Sequence, residues 1–134
     1  MSASATRRPT VLVVEDHVSV RRRLCDMLAT ETPVQIVADV GSAREAIDAF
    51  ERFRPDAVVL DLGLPDGSGV DVLRRIKGSA PFCFVIVLTQ FDEPIFAGLA
   101  RAAGADCFFH KSTQFERVAA VLIELAQAPE RSQP

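Results

Sequence analysis

Five short apolar runs, spaced fairly evenly and each closing on a polar residue or on the edge of one, constrain this chain more than any other feature. They read "TVLVVED" (10–16), "VQIVADV" (34–40), "DAVVLD" (56–61), "FCFVIVLT" (82–89) and "ADCFFH" (105–110). Four to eight apolar, β-branched residues in continuous rather than alternating order suit strands covered on both faces, as in a parallel sheet. Helical periodicity fills the gaps. Val20, Leu24, Met27 and Leu28 share one face, with Arg21, Arg22 and Arg23 read as its solvated side. Ser42-x-x-Glu45 is a capping-box pattern ahead of Ala46, Ile47, Ala49 and Phe50. Gly69 precedes a short helix with Val72, Leu73 and Ile76. Asp92 or Glu93, followed by Pro94, opens a helix that Gly104 closes. Thr113-x-x-Glu116 is read as the start of the last helix, with Phe115, Val118, Ala119, Leu122, Leu125 and Ala126 facing inward. Strands alternating with helices predict an α/β fold around one five-stranded parallel, doubly wound sheet.

The 134 residues amount to one domain, expected over 10–127, with flexible polar tails at 1–9 and 128–134. A net charge of -3 gives no reason to expect direct binding to nucleic acid or an anionic membrane. The longest apolar runs are too short to span a bilayer, and the arginines of the N-terminus are not followed by an apolar core as in a signal peptide. Cys25, Cys83 and Cys107 form no CxxC pair and read as small reduced core residues of a cytoplasmic protein.

The polar residues that end the strands carry the chemistry. Ligands of open parallel sheets bind beyond the carboxyl ends of the strands. Glu15 and Asp16 end the first strand, Asp61 the third and Thr89 the fourth, and the fifth leads to Lys111. If the first and third strands are neighbours, three carboxylates meet in one crevice, where bare anions repel. A hard divalent cation such as Mg2+ (or Mn2+) removes that conflict, because it takes carboxylates, a carbonyl and water. The glycines of "GLPDGSG" would let a backbone carbonyl, that of Gly63, turn toward it. With Thr89 and Lys111 the set suits a phosphoryl group, and Asp61 becomes a candidate nucleophile. Each position has a plainer reading: a strand-end Asp is commonly a turn residue, and an acidic pair is commonly a solvated loop. His17 reads as an exposed loop histidine, with metal ligation as the alternative, and His110 as a strand-end residue.

In "VVED", "LDLGLPDGSG", "VLT" and "FFHKS" the chain resembles the receiver domains of two-component response regulators, from about Pro9 to Gln127. The resemblance implies a flavodoxin-like sheet of strand order 2-1-3-4-5. It implies that Asp61 is the phosphoacceptor and that Glu15 and Asp16 hold Mg2+, with Asp16 the direct ligand and Gly63 lending its carbonyl. Thr89 is then the switch hydroxyl, Phe108 the aromatic switch and Lys111 the ammonium that pairs with phosphoryl oxygen. The implied partners are a sensor histidine kinase or histidine phosphotransfer protein and a downstream target protein, with a phosphorylation-dependent homodimer also allowed. On this reading the chain is a stand-alone receiver and not an enzyme, apart from catalysing its own phosphorylation and dephosphorylation.

Some positions depart from the family pattern. Glu15 stands where Asp is frequent. Gly63 brings no side chain to the second position after the nucleophile, where a haloacid-dehalogenase-type phosphohydrolase carries a second Asp. Gln90 stands where a small residue is usual and is expected to hang over the mouth of the site and narrow access. Ser112 replaces the proline that often follows the lysine, so a trans Lys111–Ser112 bond is expected. Two rival readings are the receiver part of a longer DNA-binding transcription factor, suggested by "HKSTQFERV", and a phosphorylation-independent adaptor, which the intact Asp61, Thr89 and Lys111 oppose.

Overall fold

The computed structural model describes residues 8–128. Strands β1 (Thr10–Val14), β2 (Gln35–Val40), β3 (Ala57–Leu60), β6 (Phe84–Thr89) and β7 (Cys107–His110) form one parallel sheet in the order β2-β1-β3-β6-β7. A two-stranded antiparallel ribbon, β4 (Gly63–Leu64) with β5 (Gly67–Ser68), lies in the loop after β3. Leaving the ribbon out of the count, the order is the expected 2-1-3-4-5. The three inner strands are buried almost throughout, whereas the edge strand β2 is only partly covered, so continuous burial does not extend to it.

The helices are α1 (Val18–Glu31), α2 (Ala43–Phe53), α3 (Gly69–Ser79), α4 (Pro94–Ala102), α5 (Lys111–Gln114) and α6 (Arg117–Gln127). Helices α2, α3 and α4 cover one face of the sheet over Leu12, Val14, Val58, Leu60, Val85 and Val87. The other face packs Val11, Val13, Val59, Ile86 and Leu88 against α1 and α6. Alternate residues of each strand therefore serve opposite cores. Ser42 caps α2, accepting from the Glu45 amide, and Glu45 Oε1 reaches back to the Gly41 amide and the Ser42 hydroxyl. Gly104 has φ +105 and ends the α4 segment in a conformation that L residues rarely adopt.

Three local expectations change. Gly69 is the first residue of α3 rather than preceding it, and Ser68 caps the helix, its hydroxyl accepting from the Val70 amide. The Thr113–Glu116 box does not form. One turn, α5, follows β7 directly, and α6 starts at Arg117 with no side-chain cap. The Gln114 side chain accepts from the His110 amide, and Phe115 is buried under the Arg23 guanidinium, so the turn is fixed by tertiary contacts. Arg21 is not a solvated residue, although Arg22 and Arg23 are exposed. No peptide bond among the described residues is cis, in line with the trans expectation for Lys111–Ser112.

All three cysteines are free, Cys83 buried and the other two partly so. Burial pushes the Cys25 thiol up to about 11, and Asp39 pushes it the same way. Of the expected tails, Arg8, Pro9 and Ala128 are described, and Pro9 is buried with its carbonyl accepting from the Gln35 amide. The rest lies outside the described residues.

Candidate functional site

Strands β1 and β3 pair in register, Val14 beside Leu60, so the residues that follow leave the sheet at one level. The Glu15 amide donates to Val40 and the Asp61 amide to Val14, at 2.9 and 3.0 Å. These bonds carry the ladder one residue past each strand end, fixing where the carboxylates start. Glu15 and Asp61 are almost completely buried, at 1% and 4% exposure. Such burial of acids demands a partner, and Lys111 supplies it: its ammonium lies 2.6 Å from Glu15 Oε1 and 3.0 Å from Asp61 Oδ2. Desolvation pulls the Lys111 value down, the largest single effect. The hydrogen bond with Glu15 and the charge of and hydrogen bond with Asp61 outweigh it, so the ammonium is held above the ordinary value of 10.5.

Asp16 follows in the same crevice. Its Oδ1 is buried without a hydrogen-bond partner, approaching only His17 Nδ1 at 3.3 Å as an ion-pair contact. His17 is exposed as expected, yet it is tied down: its amide and Nδ1 both meet Glu15 Oε2, at 3.1 and 3.2 Å. Ligand atoms of Glu15, Asp16 and His17 all fall within 4.8 Å of one another. An orphaned Asp16 carboxylate oxygen next to the Glu15 carboxylate offers hard oxygen donors, which suit Mg2+.

The loop after Asp61 shows why glycines follow it. None of Gly63, Gly67 and Gly69 has positive φ, so none serves an unusual turn; Gly63 and Gly69 instead allow close approach. A Cβ on Gly69 would lie 2.5 Å from both the Asp61 carbonyl oxygen and Leu62 Cα. The start of α3 thus packs directly on the backbone of the candidate nucleophile, and the Gly69 amide donates to Leu62. The Gly63 amide approaches Asp61 Oδ1 at 3.3 Å, so that peptide borders the carboxylate.

Thr89, fully buried, ends β6, and its hydroxyl accepts from the Phe91 amide at 3.3 Å. Gln90 is exposed. Phe108 pairs in register with Val87, is partly buried on the α4 side of the sheet, and meets the His110 ring edge-on at 5.7 Å. Phe109 packs on the opposite core.

Two residues near the site were not singled out from sequence. Phe91 places its ring over Gly63, 3.0 Å from where a Cβ would stand, and packs on Phe96 at 4.8 Å. Asp66, which reads as a turn residue in "LPDG", accepts from the Ala43 and Arg44 amides at 2.7 and 3.1 Å and caps α2 from across the loop. Those amides hold its carboxyl below the usual range. Both contacts join distant segments, and no local pattern announces them.

Two buried acids, a third acid with an unpartnered oxygen, a threonine and an ammonium thus lie along the carboxyl edge of a doubly wound parallel sheet, where open α/β folds place their sites. The description "Response regulator receiver domain" matches residues 11–123, and the chain belongs to that family. It is 38% identical over 97 residues to the DNA-binding transcriptional activator DevR/DosR of Mycobacterium tuberculosis, covering 70% of this chain and 45% of that protein. It is 33% identical over 109 residues to the response regulator protein VraR of Staphylococcus aureus, covering 81% of this chain and 52% of that one. The chain thus spans about half the length of these curated relatives. A crystal structure of a LuxR-family two-component response regulator from Aurantimonas sp. SI85-9A1 superposes with a TM-score of 0.81 at 27% identity, over 94% of this chain and 89% of that one. Among the described residues no helix is long and apolar enough to cross a membrane.

Proposed function

We propose that this receiver accepts a phosphoryl group on Asp61 from a phosphohistidine of a sensor kinase or phosphotransfer protein. The observation that carries the reading is the Lys111 ammonium held between buried Glu15 and Asp61. Glu15, Asp16, Asp61 and the Gly63 carbonyl would hold Mg2+, which supplies positive charge to the phosphoryl oxygens. An Asp61 oxygen attacks phosphorus, the P–N bond to histidine breaks, and the imidazole nitrogen keeps the bonding pair. Lys111 then exchanges its contact with the Asp61 carboxylate for one with a phosphoryl oxygen. The Thr89 hydroxyl donates to another, giving up its place beside the Phe91 amide and freeing room for Phe108. Phosphorylation biases two pre-existing states of the β6–α4–β7 face, including Phe108, which a target protein or a second copy reads. The chain promotes its own phosphoryl gain and loss and turns over no separate substrate. Exposed Gln90 acts at the mouth, so Gln90→Ala should speed both gain and loss. Incubation with Mg2+ and a small acyl phosphate, read by intact mass, tests the proposal. One phosphoryl group should appear on the wild type and none on Asp61→Asn; equal gain on both would place the acceptor elsewhere.

A second reading concerns output. The stand-alone receiver and the receiver portion of a longer DNA-binding regulator share this site. The 38% identity to a relative named as a DNA-binding transcriptional activator favours the latter. The reading frame that follows Pro134 in the genome decides between them.

A further inference from the structure

Arg21 projects from the first turns of α1 beneath the Glu15–Asp16 peptide. Its Nη1 donates to the Glu15 carbonyl at 2.8 Å, while Nε pairs with Asp39 Oδ1 of β2 at 3.3 Å. Its side chain is only 21% exposed. The Glu15 amide is meanwhile fixed by Val40. Both sides of Glu15 in the backbone are therefore held, one by the sheet and one by a guanidinium braced on the neighbouring strand. Gly41 makes the room: a Cβ there would stand 2.5 Å from Arg21 Nη1, yet at an ordinary 3.6 Å from Asp16 Cα.

We infer that Arg21, braced by Asp39 and admitted by Gly41, is a positioning residue that sets the Glu15–Asp16 peptide so that the Asp16 carboxylate can take a divalent cation. The inference rests on the reading of Glu15, Asp16 and Asp61 as a Mg2+ site. Charge and geometry make opposite claims here, so the sign of the effect is diagnostic. By Coulomb's law alone, removing a cation from behind the acidic pair should tighten Mg2+ binding. Losing an outer-shell hydrogen bond that orients a ligand should weaken it, commonly 10- to 100-fold. Lysine keeps the charge but not the planar fork that serves Glu15 and Asp39 together.

The experiment is calorimetric titration of Mg2+ into the full chain, wild type against Arg21→Gln, Arg21→Lys and Gly41→Ala, with amide spectra of the metal-free proteins alongside. Gly41→Ala retains every charge and displaces only the end of a flexible side chain, so it carries the test if Arg21→Gln fails to fold. The expected result is Mg2+ affinity weakened about tenfold or more in Arg21→Gln and Gly41→Ala, a smaller loss in Arg21→Lys, and shifted Asp16 and His17 amide signals before any metal is added. Affinity equal to or tighter than wild type in folded Arg21→Gln or Gly41→Ala would overturn the inference. Failure of the wild type itself to bind Mg2+ would overturn the metal reading, and the inference with it.

Discussion

The Lys111 ammonium lies closer to Glu15, at 2.6 Å, than to Asp61, at 3.0 Å. The additional methylene that Glu15 has over Asp lets the first strand's acid reach the lysine. On the proposed function, Lys111 would keep its Glu15 anchor when Asp61 is phosphorylated and turn to a phosphoryl oxygen without leaving the crevice.

Lys111→Met should strand two buried carboxylates. In metal-free buffer near neutral pH the variant should lose about 2 kcal/mol, the scale of charge-assisted hydrogen bonds, measured by urea unfolding followed by circular dichroism. Mg2+ should narrow the gap. The pH dependence follows from the raised Lys111 value. The lysine's contribution is complete below the ordinary 10.5 and is lost as pH climbs through the higher folded value. The two stability curves should converge only in strongly alkaline buffer; convergence near neutrality would contradict the pairing.

Mg2+ should stabilise the wild type by linkage, by about 1.4 kcal/mol at a concentration ten times the dissociation constant, and so raise its thermal midpoint. Asp16→Asn halves the charge of the acidic pair and should shrink that shift. An unmoved midpoint in the wild type at saturating Mg2+ would count against a shared acidic site.

Gly69 and Gly98 both lie in helices but should respond in opposite directions to alanine. Gly98 has open space where a Cβ would stand, and Gly98→Ala should stabilise α4 by about 0.5–1 kcal/mol. Gly69→Ala meets the backbone of Asp61 and Leu62 and should destabilise by about 2 kcal/mol. It should also shift the Asp61 amide signal. Equal effects at the two positions would mean that the approach of α3 to the nucleophile is loose.

Thr89 and Phe108 should report phosphorylation together. Amide spectra with and without a phosphoryl mimic should change from Thr89 through Leu99 and around Phe108, well beyond the neighbours of Asp61. Changes confined to the crevice would leave Thr89 and Phe108 as ordinary core residues.

Much of this was legible in the chain because the relevant signals are local. Apolar runs mark the inner strands, which are buried on both faces, and the residues that end them fall at one edge of a parallel sheet by topology alone. The Ser42 cap forms because every partner it needs lies within four residues. The Thr113 box has equally good spacing, but Phe115 must reach the core beneath Arg23 and Gln114 holds the His110 amide, so tertiary contacts override the local pattern. Arg21 looked like one of three solvated arginines because its partners, the Glu15 carbonyl and Asp39, come together only once β1, β2 and α1 have packed. Gly63 and Gly69 also admit a phenyl ring and other backbone, a role that the sequence around Asp61 does not announce. Space at a residue is a property of the assembled fold and leaves no periodic trace.

Chemical mapping of the phosphoryl group tests the central claim most directly. The protein is loaded with Mg2+ and a small acyl phosphate, treated with borohydride to reduce any acyl phosphate to the alcohol, digested, and sequenced by mass spectrometry. Asp61 should be recovered as homoserine in a phosphodonor-dependent manner, with the other carboxylates, Glu15 and Asp16 included, unchanged. Reduction at another residue, or none at Asp61 when the intact protein has gained a phosphoryl group, would contradict the assignment of Asp61 as phosphoacceptor.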